Sequence, residues 1–216
     1  STFIIYPNDE KIFTLVRHKS GQEGIPTDVV SIYEIGFLNF GDLVIAEPPL
    51  EVVNSIIYDA TDVFFGGNKL FISHTDYEKN QFSVYSKHNS KYAIDSIISV
   101  PYKPATLYGN NEYVFVGMSD HGGVKIYNIN SLEEVNWGAQ GFSIRNIHWD
   151  SLNSRLLLSC GYQGVVIFEL DNAMNITNSW LLNTSYAYTS RYYNKNVLVA
   201  TREGLEIFNI GTSFLS

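Results

Sequence analysis

Short stretches of alternating apolar and polar residues recur along the whole chain, and helical periodicity is hard to find anywhere in it. Five of these stretches end on an aromatic or aliphatic pair, and they are centred on Ile32, Val84, Ile126, Ile167 and Ile207. The spacings between the five centres are 52, 42, 41 and 40 residues. Because alternation with a period of two is typical of half-buried β-strands, the pattern predicts a recurring β-unit of about 41 residues.

Each of these strands belongs to a longer unit of strand-like segments. A second apolar strand precedes it, and the turn between the two often holds glycine, as at Gly122-Gly123 and at Gly161 with Gly164. Glycine allows the positive φ angles of tight hairpins at little steric cost. Four short antiparallel strands that recur at a fixed spacing are typical of a β-propeller, whereas a β-sandwich would leave the spacing unexplained.

The sequence therefore predicts an all-β fold, a five-bladed β-propeller of four-stranded antiparallel blades with about 40–50 residues per blade. We expect one propeller domain over residues 1–216. The predicted blades are residues 1–53, 54–100, 101–141, 142–183 and 184–216.

Two sets of segments resemble known propeller repeats. The run IRNIHWD at residues 144–150, followed by RLLLS at 155–159 and VVIFEL at 165–170, resembles a blade of the WD40 superfamily. The run YVFVG at 113–117 with GVKIYNI at 123–129, repeated as VLVA at 197–200 and EGLEIFNI at 203–210, is similar to the LVIVD-type repeat of bacterial and archaeal propellers. The latter resemblance implies an exported or cell-surface protein, usually without a demonstrated enzymatic activity. The residues shared with these repeats are ones that pack blades together, and they indicate no catalytic or binding role.

Composition and charge exclude several classes of protein. A net charge of -8 and a pI near 5.0 argue against a nucleic-acid binder, which needs a surplus of Lys and Arg to neutralise phosphates. The single cysteine, Cys160, excludes a disulfide framework and a Cys-rich zinc site, and it is expected to be a small core residue. No apolar stretch reaches the roughly 18–20 residues of a membrane-spanning helix, so we expect no membrane span.

The candidate ligand-binding residues come from the loops between the second and third strands of each predicted blade. In a propeller these loops converge on one face, which is the usual binding surface. The candidates are His18, His74, Asp76, Asp120, His121, Tyr162 and Arg202. Solvated turn residues would give the same pattern, and we expect no metal and no other cofactor. If a divalent metal binds, His74 and His121 are the ligands that the pattern favours.

Catalytic motifs are missing from the sequence. It has no GxxxxGK[ST], HExxH or GxSxG motif, and Asp62 alone stands where a carbohydrate-active propeller would place a pair of carboxylates. We therefore expect a non-catalytic binding or interaction propeller with a protein or glycan partner. The resemblance to LVIVD-type repeats implies that it is located outside the cell or on its surface. The alternative is a carbohydrate-active propeller, a lectin or a glycoside hydrolase-like protein, that binds a glycan at the axial funnel. Asn175 and Asn183 match the N-glycosylation pattern, which applies only in a eukaryotic secretory pathway.

Overall fold

The structure is a computed structural model that describes residues 3–8, 11–18, 27–37, 43–45, 51–57, 59–76, 79–89 and 91–210. Side chains are described for residues 59–75, 79–89 and 91–210. Every regular element within these ranges is a β-strand. The chain divides into two compact units, Ser1–Pro104 and Ala105–Ser216.

The first unit contains two antiparallel sheets. The strands are β1 (Phe3–Asn8), β2 (Lys11–His18), β3 (Thr27–Phe37), β4 (Leu43–Ile45), β5 (Glu51–Ile57), β6 (Ala60–Gly66), β7 (Lys69–Asp76), β8 (Lys79–His88) and β9 (Lys91–Ser99). Strands β1 to β4 pair in chain order, and β5 also pairs with β3. Strands β6 to β9 form a four-stranded sheet in chain order, in which Phe71 packs between Phe64 and Phe82 at ring-centroid distances of 5.9 and 6.4 Å.

The second unit repeats the same arrangement in three sheets. Its strands are β10 (Pro104–Gly109), β11 (Tyr113–Met118), β12 (Gly123–Asn128), β13 (Glu134–Gly138), β14 (Asn146–Asp150), β15 (Arg155–Ser159), β16 (Val165–Leu170), β17 (Ile176–Leu182), β18 (Thr189–Tyr193), β19 (Asn196–Thr201) and β20 (Gly204–Asn209). They pair in chain order as β10–β13, β14–β17 and β18–β20.

The β14–β17 sheet is buried on both of its faces. Leu156, Leu158 and Phe168 belong to a core cluster with Phe115 and Ile126 of the β10–β13 sheet. The intervening residues Leu157, Val165 and Ile167 form a second cluster with Val197 and Val199 of the β18–β20 sheet. Because successive side chains of a strand point to opposite faces, a strand covered on both sides is apolar at every position. This explains the unbroken apolar run of β15 and shows that the three sheets stack face to face.

Glycine makes one of the hairpin turns possible. Gly164 has a φ of +83°, and a Cβ atom at this position would lie 2.2 Å from the carbonyl oxygen of Leu182. No larger residue fits such a space without a backbone shift, so this glycine both closes the turn and lets the neighbouring chain approach. The turn is the one that presents Tyr162 and Gln163.

The all-β prediction is confirmed. Four antiparallel sheets of three or four strands repeat along the described chain, and a fifth group, β1 to β5, is a five-stranded sheet, which is consistent with a propeller. The number of blades and the single-domain assignment stay predictions. Among the described residues, no helix is long and apolar enough to cross a membrane.

Candidate functional site

Loops from all three sheets of the second unit meet along one edge, which we call the loop edge. It consists of residues 119–122, 139–145, 160–164, 183–188 and 202–203, which connect successive strands. Hydrogen bonds join neighbouring loops: the Gly141 amide donates to the His121 carbonyl oxygen at 2.8 Å, and the Ala187 amide donates to the Gly161 carbonyl oxygen at 2.9 Å. The loops are therefore held at fixed positions by the backbone.

Three tyrosines and two arginines meet at the loop edge, and we call them the tyrosine–arginine cluster. The Tyr186 ring lies 4.6 Å from the Tyr162 ring and 4.7 Å from the Tyr188 ring, measured between centroids. The guanidinium of Arg202 stands 4.9 Å from the Tyr186 centroid and 5.0 Å from that of Tyr162. Arg145 approaches Tyr186 at 5.4 Å. A guanidinium over an aromatic face is attracted by the negative face of the ring, which orients both arginines.

Burial separates the roles of the three tyrosines. Tyr186 is 7% exposed and forms the floor of the cluster, whereas Tyr162 is 68% exposed and Tyr188 is 49% exposed. Large exposed aromatic faces next to a cation are characteristic of binding surfaces, because they give contact area at a low cost in conformational entropy.

Within the described residues, no carboxylate forms an ion pair with the arginines of the cluster. Hydrogen bonding to Tyr188 is the main cause of a raised pKa of Arg202, and the neighbouring Tyr162 contributes to it. Among the described side chains, neither Arg145 nor Arg202 forms an ion pair with a carboxylate, in contrast to Arg155, whose Nη2 lies 2.9 Å from Glu169 Oε1. Arg145 and Arg202 are thus two oriented cations at an exposed edge of a chain of net charge -8, and the same edge carries the carboxylates of Asp120 and Glu203.

The structure brings four of the predicted site residues to this edge. Tyr162 and Arg202 are in contact within the cluster. Asp120 and His121 form the exposed turn between β11 and β12, both with positive φ. His121 Nδ1 donates to the Gly141 carbonyl oxygen at 2.9 Å, and the side chain of Gln163 donates to the same oxygen at 2.8 Å. Gln163 thus links the turn of His121 to the loop of Tyr162.

The other three predicted residues are placed differently. His74 lies inside strand β7 rather than in a loop, is 6% exposed, and shares a 2.7 Å hydrogen bond between its Nε2 and Ser83 Oγ. His18 and Asp76 end strands β2 and β7, and their side chains lie outside the described residues. His74 and His121 belong to different units, and among the described residues no group of three or more His, Cys, Asp or Glu side chains is placed to hold a metal ion.

Sequence reasoning missed three members of the cluster. Tyr186 and Tyr188 lie between β17 and β18, outside the loops between the second and third strands from which the candidates came. Tyr186 is buried, and Tyr188 is half-exposed. Arg145 stands alone in its loop and has no sequence signal, since its partner is 41 residues away in the chain.

Cys160 is expected to be unreactive in the folded protein. Burial raises the pKa of its thiol to about 12, and its side chain is 2% exposed. Because the thiolate is the reactive form, a disulfide reagent at pH 8 should label Cys160 only at the rate of unfolding. The measurement is the labelling rate with and without denaturant; rapid stoichiometric labelling of the native protein would show that this core position is open.

The predicted glycosylation positions are accessible. Asn175 and Asn183 are both exposed, next to the two ends of β17. Asn175 Nδ2 donates to Asp171 Oδ2 at 3.0 Å within a tight turn. Their modification stays a prediction.

Comparison with solved structures shows similarity of fold. A computationally designed protein, Ika4, gives a TM-score of 0.54 at 14% identity over 70% of this chain and 91% of that chain. A protein from Lactobacillus plantarum gives 0.62 at 12% identity over 88% of this chain, which spans only 59% of that protein. A protein from Bacteroides fragilis NCTC 9343, described as a "putative 6-phosphogluconolactonase", gives 0.61 at 15% identity over 96% of this chain and 76% of that chain.

At these identities the similarity concerns the fold alone. Together with the repeated antiparallel sheets, it supports a propeller-like fold. No protein-family profile matches the sequence, and no curated protein is significantly similar to it.

Proposed function

We propose that this chain is a non-catalytic binding propeller of five blades in one domain, and that its tyrosine–arginine cluster binds an anionic ligand. The observation that carries the proposal is the pair of guanidiniums, Arg145 and Arg202, held on one buried tyrosine ring without a carboxylate partner among the described residues. The LVIVD-like and WD40-like character, the extracellular or cell-surface location and the protein or glycan partner belong to the same proposal.

The chemistry of the cluster favours an anion. A guanidinium presents several N–H donors in a planar fork that matches a carboxylate or a phosphate. Contact with tyrosine fixes the orientation of Arg202 in advance, so that less conformational entropy is lost on binding. The guanidiniums of the cluster stay protonated near neutral pH, so in this proposal they bind and orient a ligand rather than accept its protons.

The exposed rings of Tyr162 and Tyr188 favour a second candidate, the carbohydrate-active alternative. Sugar rings pack with their C–H faces against aromatic side chains, and two exposed tyrosines flank Arg202. A similar fold occurs in the Bacteroides fragilis protein described as a 6-phosphogluconolactonase, whose name refers to a phosphorylated sugar lactone. An acidic sugar would use both the rings and the guanidiniums.

Replacement of Arg202 with glutamine is expected to weaken anion binding by about tenfold or more, the effect of losing a charge-assisted hydrogen bond of roughly 1.5–3 kcal/mol. The measurement is a calorimetric titration with 6-phosphogluconate, glucuronate and neutral glucose. Lys195→Gln is the matched control, since it removes one exposed positive charge from the β18–β19 turn.

The outcomes separate the two candidates. Binding of both acids and not of glucose, lost in Arg202→Gln and kept in Lys195→Gln, supports the anion site. Binding of glucose with equal affinity supports the glycan alternative, and consumption of any of these ligands shows catalysis. If none of the three binds, the proposed function is wrong for this class of ligand.

A further inference from the structure

The first strands of the three sheets in the second unit carry polar side chains that meet below the loop edge. Asn146 and His148 lie on β14, Thr189 and Arg191 on β18, and Tyr108 on β10. Asn146 Oδ1 accepts a 2.8 Å hydrogen bond from Thr189 Oγ1, and the Tyr108 and His148 rings are 6.0 Å apart in an edge-to-face arrangement. Polar side chains of β14 thus contact polar side chains of the first strands of both neighbouring sheets.

Hydrogen bonds from a single nitrogen atom orient the side chain of Arg191. Its Nη1 donates to Ser190 O at 2.8 Å, to Thr189 Oγ1 at 3.0 Å and to Asn146 Oδ1 at 3.2 Å. All the hydrogen bonds that Arg191 makes within the described residues involve this one atom, and no described carboxylate forms an ion pair with it. Within the described part of the chain, the Nε and Nη2 donors of this exposed cation form no hydrogen bond.

His148 contributes a buried nitrogen without a hydrogen bond. Its Nδ1 is inaccessible to solvent and has no partner among the described residues. Burial, and then the charge of Arg191, lowers the pKa of His148, so that the ring is neutral near pH 7. A buried polar atom that lacks a partner is rare in folded proteins and indicates a bound water, ion or ligand group.

Among the described residues, the carboxylate of Asp150 does not form an ion pair with Arg191. Asp150 lies on the same strand face as His148, but its oxygens accept hydrogen bonds from the Leu152 amide at 3.2 Å and from Asn153 Nδ2 at 2.6 Å. It is engaged in the β14–β15 turn. Tyr108, Asp150 and Arg191 are the titratable groups that we find around His148 on the three strands.

We infer that Arg191 and His148 form a second oxyanion site, which takes a carboxylate or a phosphate group between β14 and β18. Arg191 supplies a positive charge and two donors, and the imidazole of His148 supplies a second positive charge when the bound anion favours its protonation. The site is independent of the tyrosine–arginine cluster, since it shares none of its five side chains.

Sulfate is the probe for this site because it stays ionised throughout the titration of histidine. We expect sulfate, at constant ionic strength, to raise the pKa of His148 by about one unit, because a nearby anion stabilises the imidazolium. The measurement is the NMR titration of the imidazole signals of His148. Parallel titrations with acetate and phosphate distinguish a carboxylate from a phosphate source.

Two arginine variants separate this site from the tyrosine–arginine cluster. Arg191→Gln is expected to abolish the sulfate-dependent rise while increasing the pKa of His148 without sulfate, since it removes the neighbouring positive charge. Arg202→Gln is expected to leave the rise unchanged. Arg191→Lys keeps the charge and serves as a folding-tolerant second variant, which should retain part of the effect.

The inference is overturned if sulfate leaves the pKa of His148 unchanged, or if Arg191→Gln responds as the parent protein does. An unchanged pKa would mean that no anion binds beside His148 and that a water molecule is enough to satisfy its Nδ1. A loss of response in Arg202→Gln as well would show that both arginines serve one site, which would also contradict the inference.

Discussion

Replacing either Leu157 or Leu158 with alanine is expected to destabilise the protein by about 2–5 kcal/mol, the usual cost of a large cavity in a packed core. The two side chains are adjacent on β15, are 0% exposed and point to opposite faces. Leu157 packs against the β18–β20 sheet, and Leu158 packs against the β10–β13 sheet. If one face of the sheet were solvated, only one of the two substitutions would cause this loss of stability.

The measurement is the free energy of unfolding from denaturant titration of each variant. Leu152→Ala is the matched control, because Leu152 is 93% exposed in the turn before β15 and should change stability by less than about 0.5 kcal/mol. If either buried variant behaves like the control, the stacking of sheets on both faces of β14–β17 is wrong.

Gly164→Ala is expected to cost about 2–4 kcal/mol, because it combines the strain of a positive φ with a steric conflict against backbone. The added Cβ would lie 2.2 Å from the Leu182 carbonyl oxygen, a rigid backbone atom. The same variant should weaken ligand binding, since the turn of Gly164 presents Tyr162.

Gly141→Ala provides the matched comparison for the steric part of this effect. Gly141 has a φ of +94°, and a Cβ atom there would have no neighbour within 4 Å, so only the backbone strain of about 1 kcal/mol remains. Equal losses of thermal and chemical stability in the two variants would contradict the close approach at Gly164.

The fold was largely predictable because it is encoded in local patterns that repeat. Ile126 and Ile167, two of the repeat centres, are each 1% exposed. The third equivalent residue in this unit, Ile207, is 62% exposed, although its sequence context is the same. Its side chain faces away from Val197 and Val199, and no described sheet of the same unit covers that face. The burial of a residue depends on which sheet packs against its own sheet, and the sequence of a single strand does not contain this information.

The site was less predictable because it depends on contacts distant in the sequence. His74 was placed in a loop because the apolar run ends at Ser73, yet the hairpin continues to the pair Asp76–Lys79. Backbone hydrogen bonds extend a ladder regardless of side-chain polarity. His148 lies between Ile147 and Trp149 in β14, and nothing in this sequence context indicates that its Nδ1 lacks a partner among the described residues.

The tyrosine–arginine cluster is tested most directly by observing the arginine side chains during ligand addition. In a titration of ¹⁵N-labelled protein with 6-phosphogluconate, the Nε–H signals of Arg145 and Arg202 are predicted to show the largest shifts. The signal of Arg155, which is paired with Glu169, should stay in place. Shifts confined to Arg155 or to positions away from the loop edge, or no shifts at millimolar ligand, would contradict an anion-binding role for this edge.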